Sequence, residues 1–321
     1  MTNPVGVLVT GASGFVGSTL CERLKNEGLN YRCAVRKPSP DQNTFPVGDI
    51  GPETIWGEAL IDISTVIHLT ARVHIMKDEV PDPLPEYRKV NVEGTLNLAR
   101  QAAQAGVKRF IFISSIKVNG EQTPLGKPFT SGDTSAPEDP YGISKNEAEQ
   151  GLQQLAQETG MDVVIIRPPL VYGPGVKGNF RSMMRWVNKG IPLPLGAIHN
   201  QRSLVGLDNL VDFIITCIDH PAAANQTFLV ADGEDLSTTD LLRRVGQAMG
   251  KPARLIPVPM SVLQFCARLL GKQAMVQRLC GNLQVDISKA RKLLGWEPPV
   301  SVNEGLRRAV RSNADSERYG R

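Results

Sequence analysis

The sequence predicts an α/β protein in which a doubly wound parallel sheet carries a smaller α/β lobe towards its carboxy terminus. Apolar, strand-like runs alternate with helix-period patterns from the first residues onward, and this alternation is typical of a parallel sheet covered by helices on both faces. The length of 321 residues, with 41% hydrophobic and 21% charged side chains, suits one large domain or a large domain with a small one.

The predicted elements follow one another in order along the chain. Strands are expected at 5–10, 31–36, 65–69, 109–114 and 162–167. Three helices are expected among them: the first ends at 26, the second spans 90–105 and the third starts near 141. Pro168-Pro169 ends the last of these strands. We expect a segment at about 201–222, with a strand at 203–205, to return to the main sheet, and helices at 237–249, 261–269 and 288–294 to form the smaller lobe.

These elements divide the chain into two domains and a tail. Residues 1–168, with the return segment, form the first domain, and a Gly- and Pro-rich stretch begins the second. The second domain comprises 169–200 and 223–312, and 313–321 is expected to be a disordered tail.

Composition excludes several classes of protein. The net charge of +4 is modest and scattered, which argues against a nucleic-acid stripe or a polybasic membrane patch. Five widely spaced cysteines without a CxxC pair indicate reduced thiols in a cytosolic protein and no metal site. No signal segment or membrane span is predicted. The apolar segment 259–270 resembles a helix lying on a membrane, but it lacks a clear basic face, so we expect it to pack in the core of the smaller lobe.

A glycine-rich loop follows the first predicted strand and opens the first helix. Gly11, Gly14 and Gly17 have GxxGxxG spacing, and glycines in this context let the backbone approach a pyrophosphate at the helix amino terminus. We therefore predict a Rossmann-type nucleotide-binding domain. Arg36 and Lys37 follow the second strand, and two cations there suit a 2′-phosphate, which favours NADP over NAD; a solvated surface pair is the alternative.

Tyr141 and Lys145 lie four residues apart at the start of a predicted helix, so their side chains share one face. A lysine cation beside a tyrosine favours the phenolate and lowers the tyrosine pKa, which suits proton transfer near neutral pH. The pair alone does not establish a catalytic role, because an amphipathic helix with a packed tyrosine and a solvated lysine gives the same pattern.

Further motifs occur in the same register. They are Gly48-Asp49-Ile50, His68-Leu69-Thr70-Ala71, Asn91-Val92-Glu93-Gly94-Thr95, Ser114-Ser115, and Arg167-Pro168-Pro169-Leu170-Val171-Tyr172-Gly173-Pro174-Gly175. With the glycine loop and the Tyr/Lys pair, the chain from about 5 to 310 resembles the extended short-chain dehydrogenases/reductases of the nucleotide-sugar epimerase/dehydratase group.

The resemblance implies specific roles. Ser115 would hydrogen-bond the reacting oxygen, Tyr141 would move the proton, and Lys145 would hold the nicotinamide ribose. The implied cofactor-binding residues are Gly11, Ser13, Gly14, Phe15, Val16, Gly17, Arg36, Lys37, Asp49, Ile50, Leu69, Thr70, Ala71, Asn91, Tyr141, Lys145 and Pro168. The implied substrate-binding residues are Ser115, Asn179, Arg202 and Arg278. Relatives commonly dimerise, so a homodimer through residues near 91–105 and 141–156 is expected.

Three functions remain open. Dehydratases of the group carry an Asp-Glu pair after the serine position, whereas this chain has Ile116-Lys117, so dehydration is disfavoured. Many epimerases have tyrosine at the position of Asn119, and this chain has a basic pair after the second strand. Both features favour NAD(P)H-dependent reduction of the C4 ketone of a UDP-4-keto-6-deoxy-N-acetylhexosamine, a reaction that serves the synthesis of surface polysaccharide (O-antigen). The alternative is a UDP-glucose or UDP-N-acetylglucosamine 4-epimerase with tightly bound NAD. A non-catalytic nucleotide-sensing protein is a remote third possibility.

Overall fold

A seven-stranded parallel sheet forms the centre of the computed structural model, which describes residues 6–41, 43–73 and 82–319. The sheet has the order β3-β2-β1-β4-β5-β6-β9, and every neighbouring pair is parallel. Its strands are β1 (Gly6–Thr10), β2 (Tyr31–Val35), β3 (Thr44–Pro46), β4 (Ile63–His68), β5 (Arg109–Ile113), β6 (Asp162–Arg167) and β9 (Thr227–Leu229). This confirms the predicted fold class; Val5 of the first predicted strand lies outside the described residues.

Helices cover both faces of the sheet and build the smaller lobe. They are α1 (Phe15–Asn26), α2 (Leu84–Arg88), α3 (Thr95–Gln104), α4 (Pro140–Thr159), α5 (Gly178–Asn188), α6 (Leu207–Asp219), α7 (Thr238–Ala248), α8 (Met260–Leu269), α9 (Gln273–Cys280), α10 (Ser288–Leu294) and α11 (Val302–Tyr319). A π-helical turn, Lys89–Gly94, joins α2 to α3.

Alternate residues of the strands pack into two separate hydrophobic cores, one on each face of the sheet. In β1, Val7 and Val9 pack into the core that includes Leu20 of α1, whereas Leu8 packs into the opposite core with Leu98 of α3. Because successive strand residues point to opposite faces, a sheet that is covered twice needs nearly continuous apolar strands. This is why the central strands are largely apolar on both faces, with exceptions such as Arg32 of β2.

The smaller lobe contains a second sheet, of two parallel strands, β7 (Leu170–Tyr172) and β8 (Leu204–Gly206). Two predictions about these segments are wrong. The strand expected at 203–205 does not return to the main sheet, and β9, within the segment assigned to the lobe, is instead the last strand of the main sheet and pairs with β6. Such short apolar runs contain no signal for a particular sheet, so tertiary packing decides their partners.

Two helical segments also differ from expectation. Helix α11 continues to Tyr319, into the segment 313–321 that was expected to be a disordered tail; residues 320 and 321 lie outside the described part. Helix α8 was expected to pack in the lobe core, but only Ala267 of this helix is buried. Among the described residues no helix is long and apolar enough to cross a membrane.

Candidate active site

The candidate site lies where the strands of the main sheet end. The glycine loop follows β1, Leu69–Ala71 follows β4, Ser114 and Ser115 follow β5, and Pro168 follows β6. The carboxyl ends of parallel strands share one edge, which is the usual ligand-binding edge of such sheets. Hydrogen bonds tie neighbouring loops together: Ile116 N donates to Pro168 O over 3.0 Å, and Leu69 N donates to Thr10 O over 3.3 Å.

Three glycines shape the loop between β1 and α1. Gly11 has φ +72°, and a Cβ there would lie 3.1 Å from Thr70 N. A Cβ on Gly17 would lie 2.1 Å from Gly11 O, so this position admits only glycine unless the backbone moves. Gly14 stands at the start of α1. The loop therefore leaves bare backbone beside the amino terminus of a 12-residue helix, and this cradle fits a dinucleotide pyrophosphate.

The other predicted residues of this loop contribute in different ways. Ser13 is exposed. Phe15 and Val16, in the first turn of α1, pack their side chains against the core, so any contact with a nucleotide phosphate would come from backbone N–H groups.

Lys145 is a buried cation behind the site. Its side chain lies on α4, the residue is 1% exposed, and Nζ donates to Ile113 O over 2.8 Å. Nζ also lies 4.3 Å from the ring centroid of Phe112. Burial lowers the pKa of Lys145 to about 7, although the carboxylate of Glu149 favours the charged form. Lys145 therefore titrates near neutral pH.

Tyr141 occupies the first turn of α4, which Asp139 caps by accepting a hydrogen bond from Gly142 N over 2.7 Å. Its ring meets the ring of Tyr87 edge-on, with centroids 6.2 Å apart. Burial, followed by the charges of Asp139 and Tyr87, raises the pKa of Tyr141. The sequence predicted the opposite direction from the nearness of Lys145, but burial dominates.

The two adjacent serines have different environments. Ser114 is buried, and its hydroxyl donates to the carboxylate of Glu149. Ser115 is partly exposed, and its Oγ accepts a hydrogen bond from Lys117 N over 3.3 Å. Because Ser114 is committed to a buried partner, Ser115 is the serine whose hydroxyl can meet a substrate oxygen.

A buried ion pair that the sequence analysis missed lies beneath these residues. Glu149 and Arg167 form a two-pronged salt bridge, with Arg167 Nε 3.0 Å and 3.1 Å from the two carboxylate oxygens. Arg167 Nη1 donates to Asn119 Oδ1 over 2.9 Å, and Asn119 Nδ2 donates to Thr130 O over 2.9 Å. Arg167 was quoted only as the start of a motif, and nothing in the sequence marked Glu149 as its partner.

His68 and Asn91 hold the loop after β4 in place. His68 is fully buried between Thr10 Oγ1 at 2.7 Å and Thr95 Oγ1 at 3.0 Å, and burial lowers its pKa to about 3. Asn91, predicted to bind the cofactor, is also fully buried; its Nδ2 donates to Ser144 Oγ over 3.0 Å and its Oδ1 accepts from Arg72 N over 2.8 Å. These bonds give Asn91 a positioning role between this loop and α4.

The predicted adenosine contacts lie at the outer end of the site. Arg36 is 83% exposed and Asp49 is 92% exposed, with Arg36 Nε 3.7 Å from Asp49 Oδ1. Lys37 is exposed as well. Ile50 packs so close to the π turn that a Cβ on Gly94 would lie 3.1 Å from its Cγ2.

Apart from Ser115, the predicted substrate residues lie in the smaller lobe. Arg202 is partly buried, its Nη1 donates to Gly281 O over 3.1 Å, and burial lowers its pKa. Asn179 is exposed in the first turn of α5, and Arg278 is exposed on α9.

Comparison with known proteins places this site in a family. The model of the NAD dependent epimerase/dehydratase family matches residues 7–231. The chain belongs to this family. It is 51% identical to a UDP-glucose 4-epimerase of Vibrio cholerae over 314 residues, which cover 96% of this chain and 95% of the relative.

Two further relatives illustrate the range of the family. An N-acetyl-alpha-D-glucosaminyl-diphospho-ditrans,octacis-undecaprenol 4-epimerase of Escherichia coli O157:H7 is 30% identical over 327 residues, covering 95% of this chain and 94% of the relative. The solved structure of MoeE5 in complex with UDP-glucose and NAD superimposes with a TM-score of 0.76 at 25% identity, covering 97% of this chain and 99% of that one.

Lys117 occupies a position at which this epimerase/dehydratase chain departs from the dehydratase pattern. Its ammonium pairs with the carboxylate of Asp139 and lies 3.2 Å from Glu121 Oε1. The side chain thus ties the loop after β5 to the cap of α4, which holds Tyr141.

Proposed function

We propose that the chain is a UDP-hexose 4-epimerase that retains NAD through the catalytic cycle. The observation that carries the proposal is the 51% identity, over 96% of this chain, to a UDP-glucose 4-epimerase; the presence of Ser115, Tyr141, Lys145 and a glycine cradle in the same chain supports it. The 4-ketosugar reductase favoured by the sequence analysis becomes the alternative. That prediction rested on the basic pair Arg36-Lys37 and on Asn119, and the side chain of Asn119 is hydrogen-bonded to Arg167 and to the backbone of Thr130.

In the proposed reaction Tyr141 accepts the proton of the C4 hydroxyl while Ser115 holds the same oxygen by a hydrogen bond. A nicotinamide held in the glycine cradle would supply the acceptor for the C4 hydride and later its donor. The resulting ketone can turn within the smaller lobe and present its other face. Tyr141 then returns the proton to the oxygen, so the chain ends the cycle in its starting protonation state.

Lys145 makes this proton exchange feasible at neutral pH. Burial raises the pKa of Tyr141, so its phenol stays protonated at neutral pH, whereas Lys145, with a pKa of about 7, can gain or lose a proton there. The opposite pKa directions are what a catalytic acid and base pair requires.

The choice of cofactor depends on the outer rim of the site. Arg36 is the observation that favours the alternative, an exchangeable NADPH, because a cation there can bind a 2′-phosphate. Its neighbour Asp49 opposes this, since a carboxylate 3.7 Å from the guanidinium would repel that phosphate. We therefore propose NAD as the cofactor, so that a ribose hydroxyl and not a 2′-phosphate lies beside Arg36 and Asp49.

UDP-sugar is the proposed substrate class, with Arg202 as the proposed ligand of the diphosphate. A guanidinium that is partly buried and keeps further N–H donors suits a diphosphate. Asn179 and Arg278 are proposed as outer contacts of the sugar nucleotide. A homodimer through residues near 91–105 and 141–156 is proposed as well, and sedimentation velocity tests it.

The experiment is to release the nucleotide from freshly purified protein and to incubate the same protein with UDP-glucose without added cofactor. We expect bound NAD and formation of the C4 epimer, UDP-galactose, without net change in nicotinamide absorbance. Protein that carries no nucleotide, forms no epimer and consumes NADPH stoichiometrically with a UDP-4-keto-6-deoxy-N-acetylhexosamine would establish the reductase instead.

A further inference from the structure

Helix α8 presents an apolar stripe to solvent. Its exposed apolar residues recur at i, i+3, i+7 and i+8: Val262 is 47% exposed, Phe265 63%, Leu269 71% and Leu270 69%. This spacing places them on one side of a helix. The opposite side, around the buried Ala267, packs chiefly against α9. The stripe is therefore a contiguous apolar surface that the described residues of the chain leave uncovered.

The charge around this stripe has one sign. From residue 245 to 285 the sequence holds five basic residues and no acidic one, although the whole chain has 36 basic and 32 acidic residues. Two of the cations flank the stripe: Arg268 is exposed one position before Leu269, and Lys272 is exposed just after the helix. No described residue forms an ion pair with either of them. The helix itself carries a single basic residue, Arg268, which is why its sequence shows no basic face, but together with Lys272 the exposed surface is both apolar and cationic.

We propose that the hairpin formed by α8 and α9 docks the protein onto an anionic lipid bilayer. An amphipathic helix with exposed aromatic and leucine side chains and flanking Lys or Arg lies in the plane of the bilayer interface. The positive charge favours this occupant over a second copy of the chain, because two such hairpins brought face to face would repel each other. The short length of α8, 10 residues, fits a helix that rests on a bilayer.

Docking in this way leaves the catalytic residues free. Ser115, Tyr141 and Lys145 lie at the edge of the main sheet and are not part of the hairpin. Lipid binding is therefore a separate property from the proposed epimerisation, and it can be tested whether or not that proposal holds.

The test is flotation of the full-length protein with phosphatidylcholine vesicles that either contain or lack phosphatidylglycerol. We expect binding to the anionic vesicles that weakens with added salt. The double variant Phe265→Glu/Leu269→Glu should lower the partition coefficient by about ten-fold or more, since it removes apolar contact and adds negative charge. Arg268→Gln should lower binding to anionic vesicles about five-fold.

The matched control is Ile55→Glu/Ile61→Glu, which places the same two negative charges on other exposed apolar residues (83% and 57% exposed), ahead of β4 at the amino-terminal edge of the sheet. This variant should float like the wild type, and thermal unfolding should show that all the variants are folded. A wild type that fails to bind anionic vesicles would overturn the proposal, as would a folded Phe265→Glu/Leu269→Glu variant that binds like the wild type. Concentration-dependent self-association that Phe265→Glu/Leu269→Glu abolishes, without any lipid binding, would show instead that the stripe is an interface between copies.

Discussion

Replacing Glu149 with glutamine should strongly destabilise the protein. The side chains of Glu149 and Arg167 are 2% and 6% exposed, and they form a two-pronged salt bridge. The substitution keeps the shape and one acceptor for Ser114 but removes the charge that balances the guanidinium. A buried cation left without its partner costs about 3–5 kcal/mol.

We expect the lower end of this range, about 3 kcal/mol, because the amide oxygen of glutamine still accepts one hydrogen bond from Arg167. At ~2 °C per kcal/mol for a chain of this size, the unfolding midpoint should fall by about 6 °C. Urea unfolding measured on nucleotide-free protein gives the free energy directly.

The control variant is Glu147→Gln, the same substitution on the same helix. The side chains of Glu147 and Arg88 are 30% and 45% exposed, and a solvent-exposed pair of this kind contributes about 1 kcal/mol or less. Replacing both members of the buried pair, in Glu149→Leu/Arg167→Leu, should be less destabilising than Glu149→Gln alone, because no unpaired charge stays buried.

Glu149 also acts on the site through Lys145, whose charged form it favours. Glu149→Gln should therefore lower the pKa of Lys145 further and move the pH–rate limb that reports this lysine to lower pH. A loss of stability no larger than that of Glu147→Gln would refute the account of the buried network. An unshifted pH–rate profile would show that Glu149 supports the fold alone.

Four further variants test the site. Tyr141→Phe should lower kcat by about 10²–10⁴-fold with little change in UDP affinity, as expected for loss of a proton-transfer group; near wild-type turnover would contradict the assignment. Gly17→Ala should abolish nucleotide retention, because the added Cβ would lie 2.1 Å from a backbone oxygen, whereas Gly57→Ala, with no heavy atom within 4 Å of its Cβ, should not. Burial lowers the pKa of Lys145 from 10.5 to about 7, so between these pH values the unfolded chain holds a proton that the folded chain has released. The loss of folding stability caused by burying the charged lysine is therefore full below pH 7 and fades towards pH 10.5. Urea unfolding of Lys145→Met should differ from that of the wild type in a pH-dependent way within this window. Arg36→Ala should change epimerisation less than about five-fold, as expected for an exposed cation that binds no phosphate, and a large loss would favour NADP.

The sequence predicted the sheet and the residues at its edge because both have local signals. Apolar runs flanked by glycine or proline mark the central strands, and the spacing of Gly11, Gly14 and Gly17 marks the nucleotide loop. The three-residue strands β3 and β9 have no such signal, since their pairing depends on partners far away in the chain. The same is true of Glu149, which becomes informative only when folding places it beside Arg167.

The error about α8 has a related cause. An apolar stripe at helical spacing predicts burial of one face, but the sequence does not show what will cover that face. The position of α8 in the fold determines what covers its apolar face, and here that face is exposed to solvent. The pKa of Tyr141 was misjudged in a similar way, because spacing reveals the neighbouring lysine but not the depth of burial.

The most direct test of the central proposal is to supply UDP-glucose that carries deuterium at C4 and to analyse the epimer formed without added cofactor. A retained nicotinamide that takes the C4 hydride and returns it to the same carbon predicts that UDP-galactose keeps the deuterium at C4. Product that has lost the label to solvent or to exchanged nucleotide, or no epimer at all from folded protein carrying NAD, would contradict the account.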